Sequence, residues 1–216
     1  MANNLLPAAT TLFLLLLTLA TADTDGDLVL DIEGNPLEVG SEYYIFRAGG
    51  ILGAIGRSGR HGTDDTCPLY VIQYPTPVHK GDLVKFVPVN ETQKEIHLSS
   101  DVKIDSGESA YCGSDGFWRP ILDAHTRSQL VIASASPSDT RTTFRIQKIE
   151  GYLNAYKIVY PFPRGQGYLS LFHDLFSGLT FVRVAMDSTE ASPFIFSKNK
   201  KDVVASMLSF YGSDAR

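Results

Sequence analysis

A series of short, β-rich runs with turn-forming residues between them most constrains how this chain can fold. Clusters of Gly, Pro, Asp and Ser separate most of the runs, and we find no helical periodicity before residue 200. Eleven runs stand out: 28–31, 43–46, 69–73, 83–87, 102–105, 129–132, 143–148, 156–160, 168–172, 179–184 and 194–196. So many short strands predict an all-β barrel or sandwich. No internal repeat is visible, so the pattern alone does not predict threefold symmetry.

The N-terminal end departs from this pattern. Residues 5–22 are apolar or small, carry no charge and finish in Ala-Thr-Ala, a small-x-small ending. We therefore predict that residues 1–22 are a secretory signal peptide, with a membrane anchor as the alternative. The mature protein is then expected outside the cell or in the vacuole.

The C-terminal end differs as well. A polar hinge precedes residues 203–211, in which apolar side chains recur at helical spacing. Residues 201–216 are predicted to be a tail, either a short terminal helix or a detachable sorting segment. Residues 23–200 remain as one domain, which is long enough to bury a sizeable core.

The cysteine count and the charge limit the compartment and the partners. In a secreted chain Cys67 and Cys112 can form one disulfide, and two buried free thiols are the alternative. The net charge is −5 and no long Lys/Arg run occurs. We therefore expect neither nucleic acid nor a membrane surface as a partner of the mature form.

Enzyme and metal motifs are scarce. The five histidines show no metal-site spacing, and no Gly-x-Ser-x-Gly occurs. We expect no enzymatic activity, no cofactor and no metal, although a Ser-His-Asp group could still assemble from distant residues. One basic cluster, with Arg57, Arg60 and His61, lies in a Gly-rich stretch. It is either a solvated turn or a secondary contact loop for an acidic partner.

Residues 29–45 read VLDIEGNPLEVGSEYYI and resemble the N-terminal signature of the plant Kunitz (soybean trypsin inhibitor type) family. The signature positions are Val29, Asp31, Glu33, Gly34, Leu37, Tyr43 and Ile45. Further matches are the Cys-Pro-Leu-x-Val-x-Gln strand at 67–73, Lys80-Gly81, 99–102, Trp118, 144–146 and 156–159. The resemblance covers about residues 27–197. It implies a single β-trefoil domain of twelve short strands with pseudo-threefold symmetry and a disulfide between Cys67 and Cys112.

The resemblance also implies inhibition through a loop between the fourth and fifth strands. Inhibitors of the family place this loop in the protease cleft like a substrate, and its P1 side chain enters the S1 pocket. A pre-organised loop loses little entropy on binding. In this chain the corresponding loop consists of Val87, Pro88, Val89, Asn90, Glu91, Thr92 and Gln93.

Counting from the two flanks of the loop leaves Val89, Asn90 and Glu91 as P1 candidates. None is Arg or Lys, whereas the S1 pocket of trypsin carries an aspartate. We therefore expect weak or absent inhibition of trypsin. The expected target is a serine protease that accepts a small aliphatic or Asn side chain, or a protease of another class.

Three features depart from the family pattern. The single Asn-x-Ser/Thr sequon begins at Asn90, inside the loop, and predicts N-glycosylation there. Val39 stands where relatives often have an Asn whose side chain braces the loop. Tyr160 replaces the first cysteine of a later disulfide, so residues 161–167 are expected to be looser.

The leading hypothesis is a monomeric plant defence protein whose partner is an endopeptidase, expected to be of the serine class. Two alternatives remain open. One is a non-inhibitory, miraculin-like storage, defence or taste-modifying glycoprotein. The other is an inhibitor of a glycosidase such as α-amylase.

Overall fold

The computed structural model describes residues 28–50, 53–62, 66–77, 79, 81–109, 112 and 115–199. The predicted signal peptide and the predicted tail lie outside the described residues. Within the described ranges, no helix has the length and apolar character needed to cross a membrane.

The described part of the chain contains twelve strands and two short 3-10 helices. The strands are β1 Glu42–Arg47, β2 Ile55–Ser58, β3 Tyr70–Gln73, β4 Val84–Pro88, β5 Asp101–Asp105, β6 Phe117–Leu122, β7 Gln129–Ala135, β8 Thr143–Lys148, β9 Tyr156–Phe162, β10 Gly165–His173, β11 Thr180–Ala185 and β12 Phe194–Ser197. The 3-10 helices are Thr140–Thr142 and Ser188–Glu190.

Strand pairing divides the sheet into a closed barrel and a cap. The barrel runs β1–β4–β5–β8–β9–β12 and back to β1, with every pair antiparallel. The hairpins β2–β3, β6–β7 and β10–β11 pair with one another through β3, β7 and β11. Each third of the chain thus supplies two barrel strands and one hairpin. This arrangement is a β-trefoil, which confirms the predicted fold class and removes free edges from the barrel.

Large side chains from all three thirds fill the interior. Seven aromatic residues of the main core are almost completely buried: Tyr43, Phe86, Trp118, Phe144, Tyr156, Phe194 and Phe196. The barrel strands alternate inward and outward positions, as in β5, where Val102 and Ile104 are buried between half-exposed neighbours. The indole nitrogen of Trp118 donates to the Ser106 hydroxyl at 2.7 Å, so its polar atom is also satisfied.

Ten of the eleven predicted runs fall on strands, one run does not, and two strands were not predicted. Residues 28–31 form isolated bridges rather than a strand. Strand β2 was predicted as a Gly-rich loop; its Gly56 is required because a Cβ there would lie 2.5 Å from the Tyr74 ring. Strand β6 contains Pro120, which interrupts the sequence signal of a strand.

The predicted loosening of residues 161–167 is wrong. Strands β9 and β10 form a regular hairpin in which Phe162 pairs with Gly165. Tyr160, at the position of the missing cysteine, lies with its ring centroid 5.6 Å from that of Phe144 and 4.9 Å from that of Phe162. Aromatic packing therefore holds this lobe although position 160 carries no cysteine.

Candidate functional site

The loop after β4 leaves the barrel at the end away from the hairpin cap. Strands β4 and β5 pair from Lys85 opposite Asp105 to Pro88 opposite Val102. Asp105 also pairs with Phe117 of the cap hairpin β6–β7. The Pro88 end of the ladder is therefore the distal end, and the loop extends from it into solvent.

The predicted site residues divide between the strand and the loop. Val87 and Pro88 are the last two residues of β4, and Pro88 is buried. The Val89 amide donates to the Asp101 carbonyl at 2.9 Å, which continues the ladder by one residue. The first foot of the loop is therefore fixed to β5.

The tip of the loop is a tight turn. The Gln93 amide donates to the Asn90 carbonyl at 3.2 Å, so Glu91 and Thr92 occupy the corners. The four residues from Val89 to Thr92 are exposed. All three P1 candidates thus lie on the accessible part of the loop.

The second foot is held by a closed ring of backbone hydrogen bonds. The Val29 amide donates to the Ile96 carbonyl, the Ile96 amide to the Leu37 carbonyl, and the Leu37 amide to the Val29 carbonyl, all at 2.8–2.9 Å. All three side chains are buried. Beside the ring, the Val39 amide donates to the Lys94 carbonyl at 2.9 Å. The main chain of Val39 therefore supports the loop although its side chain has no donor.

An ion pair lies beside these backbone hydrogen bonds. Glu38 accepts a hydrogen bond from the Lys198 ammonium at 2.7 Å and another from the Ser41 hydroxyl at 2.9 Å. Lys198, and then Ser41, lowers the pKa of Glu38, and the same contact raises the pKa of Lys198. The Glu38 amide donates to the Tyr43 hydroxyl at 2.8 Å. Sequence reasoning missed this group because the two charges lie 160 residues apart.

The sequon has a defined conformation. The side-chain oxygen of Asn90 accepts from the Thr92 hydroxyl at 2.8 Å and from the Thr92 amide at 3.3 Å. Both contacts use the oxygen. Among the described residues, the side-chain nitrogen of Asn90, Nδ2, has no hydrogen-bond partner.

The basic cluster lies elsewhere, at the hairpin cap. Arg57 bonds to Asp82 at 2.6 Å and to the Gly107 carbonyl at 2.8 Å. Arg60 bonds to Asp123 at 2.8 Å. Both guanidinium groups are thus held by acceptors of the chain itself. Contact with an acidic partner stays a prediction.

Arg60 and His61 line a cleft of about 390 Å³ between the hairpin tips, together with His125, Thr126, Asp174, Phe176 and Ser177. The Arg60 guanidinium lies 5.5 Å from the ring centroid of Tyr70 and 5.1 Å from that of Phe181. Burial, followed by the charge of Asp123, raises the pKa of Tyr70. Together with the bond from Arg60 to Asp123, these contacts join the tips of all three hairpins, which gives the cleft a structural role in closing the cap.

The predicted disulfide is confirmed. Cys67 and Cys112 are bonded, with their Cα atoms 5.6 Å apart. Within the described ranges, no group of three His, Cys, Asp or Glu side chains is arranged to hold a metal ion.

Comparison with known proteins agrees with this geometry. The family model described as "Trypsin and protease inhibitor" (legume Kunitz) matches residues 29–168. Kunitz-type trypsin inhibitor 1 of Selenicereus undatus is 40% identical over 161 residues, covering 74% of this chain and 96% of the relative. The protein of the same name from Selenicereus costaricensis is 34% identical over 166 residues, covering 77% and 95%.

Among solved structures, a Kunitz-type trypsin inhibitor from Cicer arietinum shares the fold. Its TM-score is 0.67 at 24% identity, covering 80% of this chain and 99% of that structure. The family match and the two relatives show that this chain belongs to the plant Kunitz family of protease inhibitors.

Proposed function

We propose that this protein inhibits an endopeptidase, with a serine protease as the expected target, by presenting residues 87–93 to the protease cleft as a substrate mimic. The carrying observation is that the loop tip is exposed while both feet are fixed by backbone hydrogen bonds, at Val89–Asp101 and at Val39–Lys94. Such a loop has little conformational entropy left to lose on binding. Fixed ends also keep the two halves together if the protease cuts the loop, so resealing competes with release.

The chemistry of the tip argues for a target other than trypsin. None of the three P1 candidates carries a positive charge to pair with the aspartate of the trypsin S1 pocket. Val89 is half exposed and precedes the turn, so it suits a protease with a small apolar pocket. Glu91 would be repelled by trypsin.

The remaining parts of the proposal follow from this role. The inhibitor needs no catalytic residue, cofactor or metal of its own, and a single loop can act in a monomer. The disulfide is typical of proteins that pass through the secretory pathway, which supports a secreted or vacuolar location. The two Selenicereus relatives are named as trypsin inhibitors, which favours protease inhibition over a storage, taste-modifying or glycosidase-inhibiting role.

An arginine scan of the tip tests the mechanism and identifies P1. Val89→Arg, Asn90→Arg and Glu91→Arg are made as unglycosylated protein in an oxidising bacterial compartment, each with a Gln substitution at the same position as its control. The parent protein is expected to inhibit trypsin weakly or not at all. The Arg variant at the true P1 gains a charge pair in the S1 pocket, worth about 3 kcal/mol or a hundredfold in the inhibition constant.

Two results would oppose the proposal. Tight inhibition of trypsin by the parent, lost on Lys94→Ala, would place P1 outside the three candidates. If no Arg variant inhibits trypsin and the parent inhibits no protease in a panel of serine and cysteine enzymes, the loop does not act as a substrate mimic.

A further inference from the structure

We propose that Asn90 carries an N-linked glycan and that this glycan closes the inhibitory loop, so that one chain exists in an inhibitory and a non-inhibitory form. The proposal rests on the proposed function, because it concerns access to the same loop. It adds a covalent modification site and a means of control that act on the loop from within.

The first argument is accessibility. Asn90 is exposed at the tip of a loop that leaves the distal end of the barrel. Its side-chain oxygen accepts both hydrogen bonds from Thr92, whereas its side-chain nitrogen, Nδ2, has no partner among the described residues. The atom that would receive the sugar is therefore the atom of this side chain that the fold does not use.

The second argument is the chemistry of attachment. In the secretory pathway the donor is an oligosaccharide joined to a polyprenyl diphosphate. A bond forms between the Asn90 Nδ2 atom and the anomeric carbon of the first sugar. The bond from that carbon to the diphosphate oxygen breaks, the lipid diphosphate leaves with the electron pair, and the amide loses one proton. The Cys67–Cys112 disulfide independently indicates an oxidising compartment of the kind in which this transfer occurs.

The third argument is position. If Asn90 is P1, the glycan is attached to the side chain that must enter the S1 pocket. If Val89 or Glu91 is P1, Asn90 is the next residue on one side or the other. In each case a bulky, hydrated substituent stands where the cleft and the loop must touch.

The fourth argument is rigidity. The Val89 amide is bonded to Asp101 one residue before the sequon asparagine, and the Gln93 amide closes the turn on the Asn90 carbonyl. Because the turn and both feet of the loop are fixed, the glycan stem cannot move away from the tip without breaking backbone hydrogen bonds. Pre-organisation that favours binding of the bare loop thus makes the glycosylated loop a poor ligand.

The test uses matched variants of the full chain secreted from a plant or yeast host. Thr92→Val removes the sequon with little change in shape, and Thr92→Ser keeps the sequon as the control. Each is combined with Glu91→Arg, which retains an Asn-x-Ser/Thr sequon in the control. Intact mass reports the glycan.

Trypsin reports access to the loop, since it must reach Arg at position 91 either to be inhibited or to cut there. The Thr92→Val form is expected to have no glycan and to be inhibitory or cleaved. The glycosylated Thr92→Ser form is expected to inhibit trypsin, or to be cleaved by it, about a hundredfold more weakly than the Thr92→Val form.

The outcomes separate this proposal from the proposed function. Cleavage of the Thr92→Val form without inhibition, together with protection of the Thr92→Ser form, would retain the glycan gate while the inhibitor mechanism fails. A Thr92→Ser form whose mass shows no glycan would overturn the modification. Equal access of trypsin to both forms would overturn the gate.

Discussion

The most demanding prediction concerns the ion pair that joins the hairpin tips at the cap. Arg60 bonds to Asp123 at 2.8 Å, with only 16% of the arginine side chain and 3% of the aspartate side chain exposed. The other carboxylate oxygen of Asp123 accepts from the Thr126 amide and hydroxyl, each at 2.8 Å. Arg60→Met retains the apolar stem and removes the charge, so it leaves the buried Asp123 carboxylate without its cation and also removes the cation that lies 4.0 Å from Asp174.

The expected loss is about 3 kcal/mol in the free energy of unfolding. Removal of one member of a buried pair costs about 3–5 kcal/mol, and the lower end applies because Thr126 still satisfies one oxygen. For a domain of this size, that loss lowers the melting temperature by about 6–12 °C. Arg145→Met is the matched control, because the Arg145–Asp101 pair is 2.6 Å long with both side chains 42% exposed. An exposed pair of this kind contributes about 1 kcal/mol or less.

The pH dependence provides an independent check. Burial alone would raise the pKa of Asp123, but the hydrogen bonds from Thr126 and the charge of Arg60 outweigh it and hold the pKa below its ordinary value. The stabilisation is therefore complete above the unfolded pKa of about 3.9 and is lost as the pH falls through the lower folded pKa. Protonated Asp123 needs no cation, so the deficit of Arg60→Met shrinks in acid.

Denaturant unfolding at pH 7 and at successive steps toward about pH 2 measures both effects. The reasoning is refuted if Arg60→Met costs no more than Arg145→Met at neutral pH. It is also refuted if the deficit of Arg60→Met stays constant across the acid range.

Three further outcomes are expected. Replacing both cysteines of the disulfide by serine should cost about 4 kcal/mol, since the bond closes a separation of 45 residues; a loss under about 1 kcal/mol in denaturant unfolding would contradict the chain-entropy argument. Tyr160→Ala should destabilise by about 3 kcal/mol through lost packing on Phe162, whereas Tyr160→Phe should be nearly neutral, and thermal melting distinguishes them. The hydrogen bond from Arg141 is the main cause that lowers the pKa of Asp139 to about 2. Asp139 should therefore contribute stability that is complete above about pH 4 and lost toward pH 2. If the stability of Asp139→Asn follows the same pH dependence as that of the parent, this contribution is excluded.

Much of the fold and part of the site could be predicted from local patterns. Short β-rich runs between turn residues indicated an all-β domain, because strand periodicity and turn chemistry are properties of neighbouring residues. The N-terminal signature and the Cys67 strand implied the trefoil, the disulfide and the position of the loop. The absence of a cation at residues 89–91 is likewise visible without coordinates.

The tertiary structure alone decided how these parts are held together. The ring of backbone hydrogen bonds under the loop joins Val29 and Leu37 to Ile96, and the ion pair beside it joins Glu38 to Lys198. Strand β2 was not predicted because glycine is uncommon inside strands. The structure shows that Gly56 is required by the approach of Tyr74, which no local pattern records. In each case the decisive contact is between residues far apart in the chain, and its energy exists only after the barrel has closed. Sequence therefore determined which residues stand at the loop tip, and tertiary packing decided that they are exposed on fixed ends.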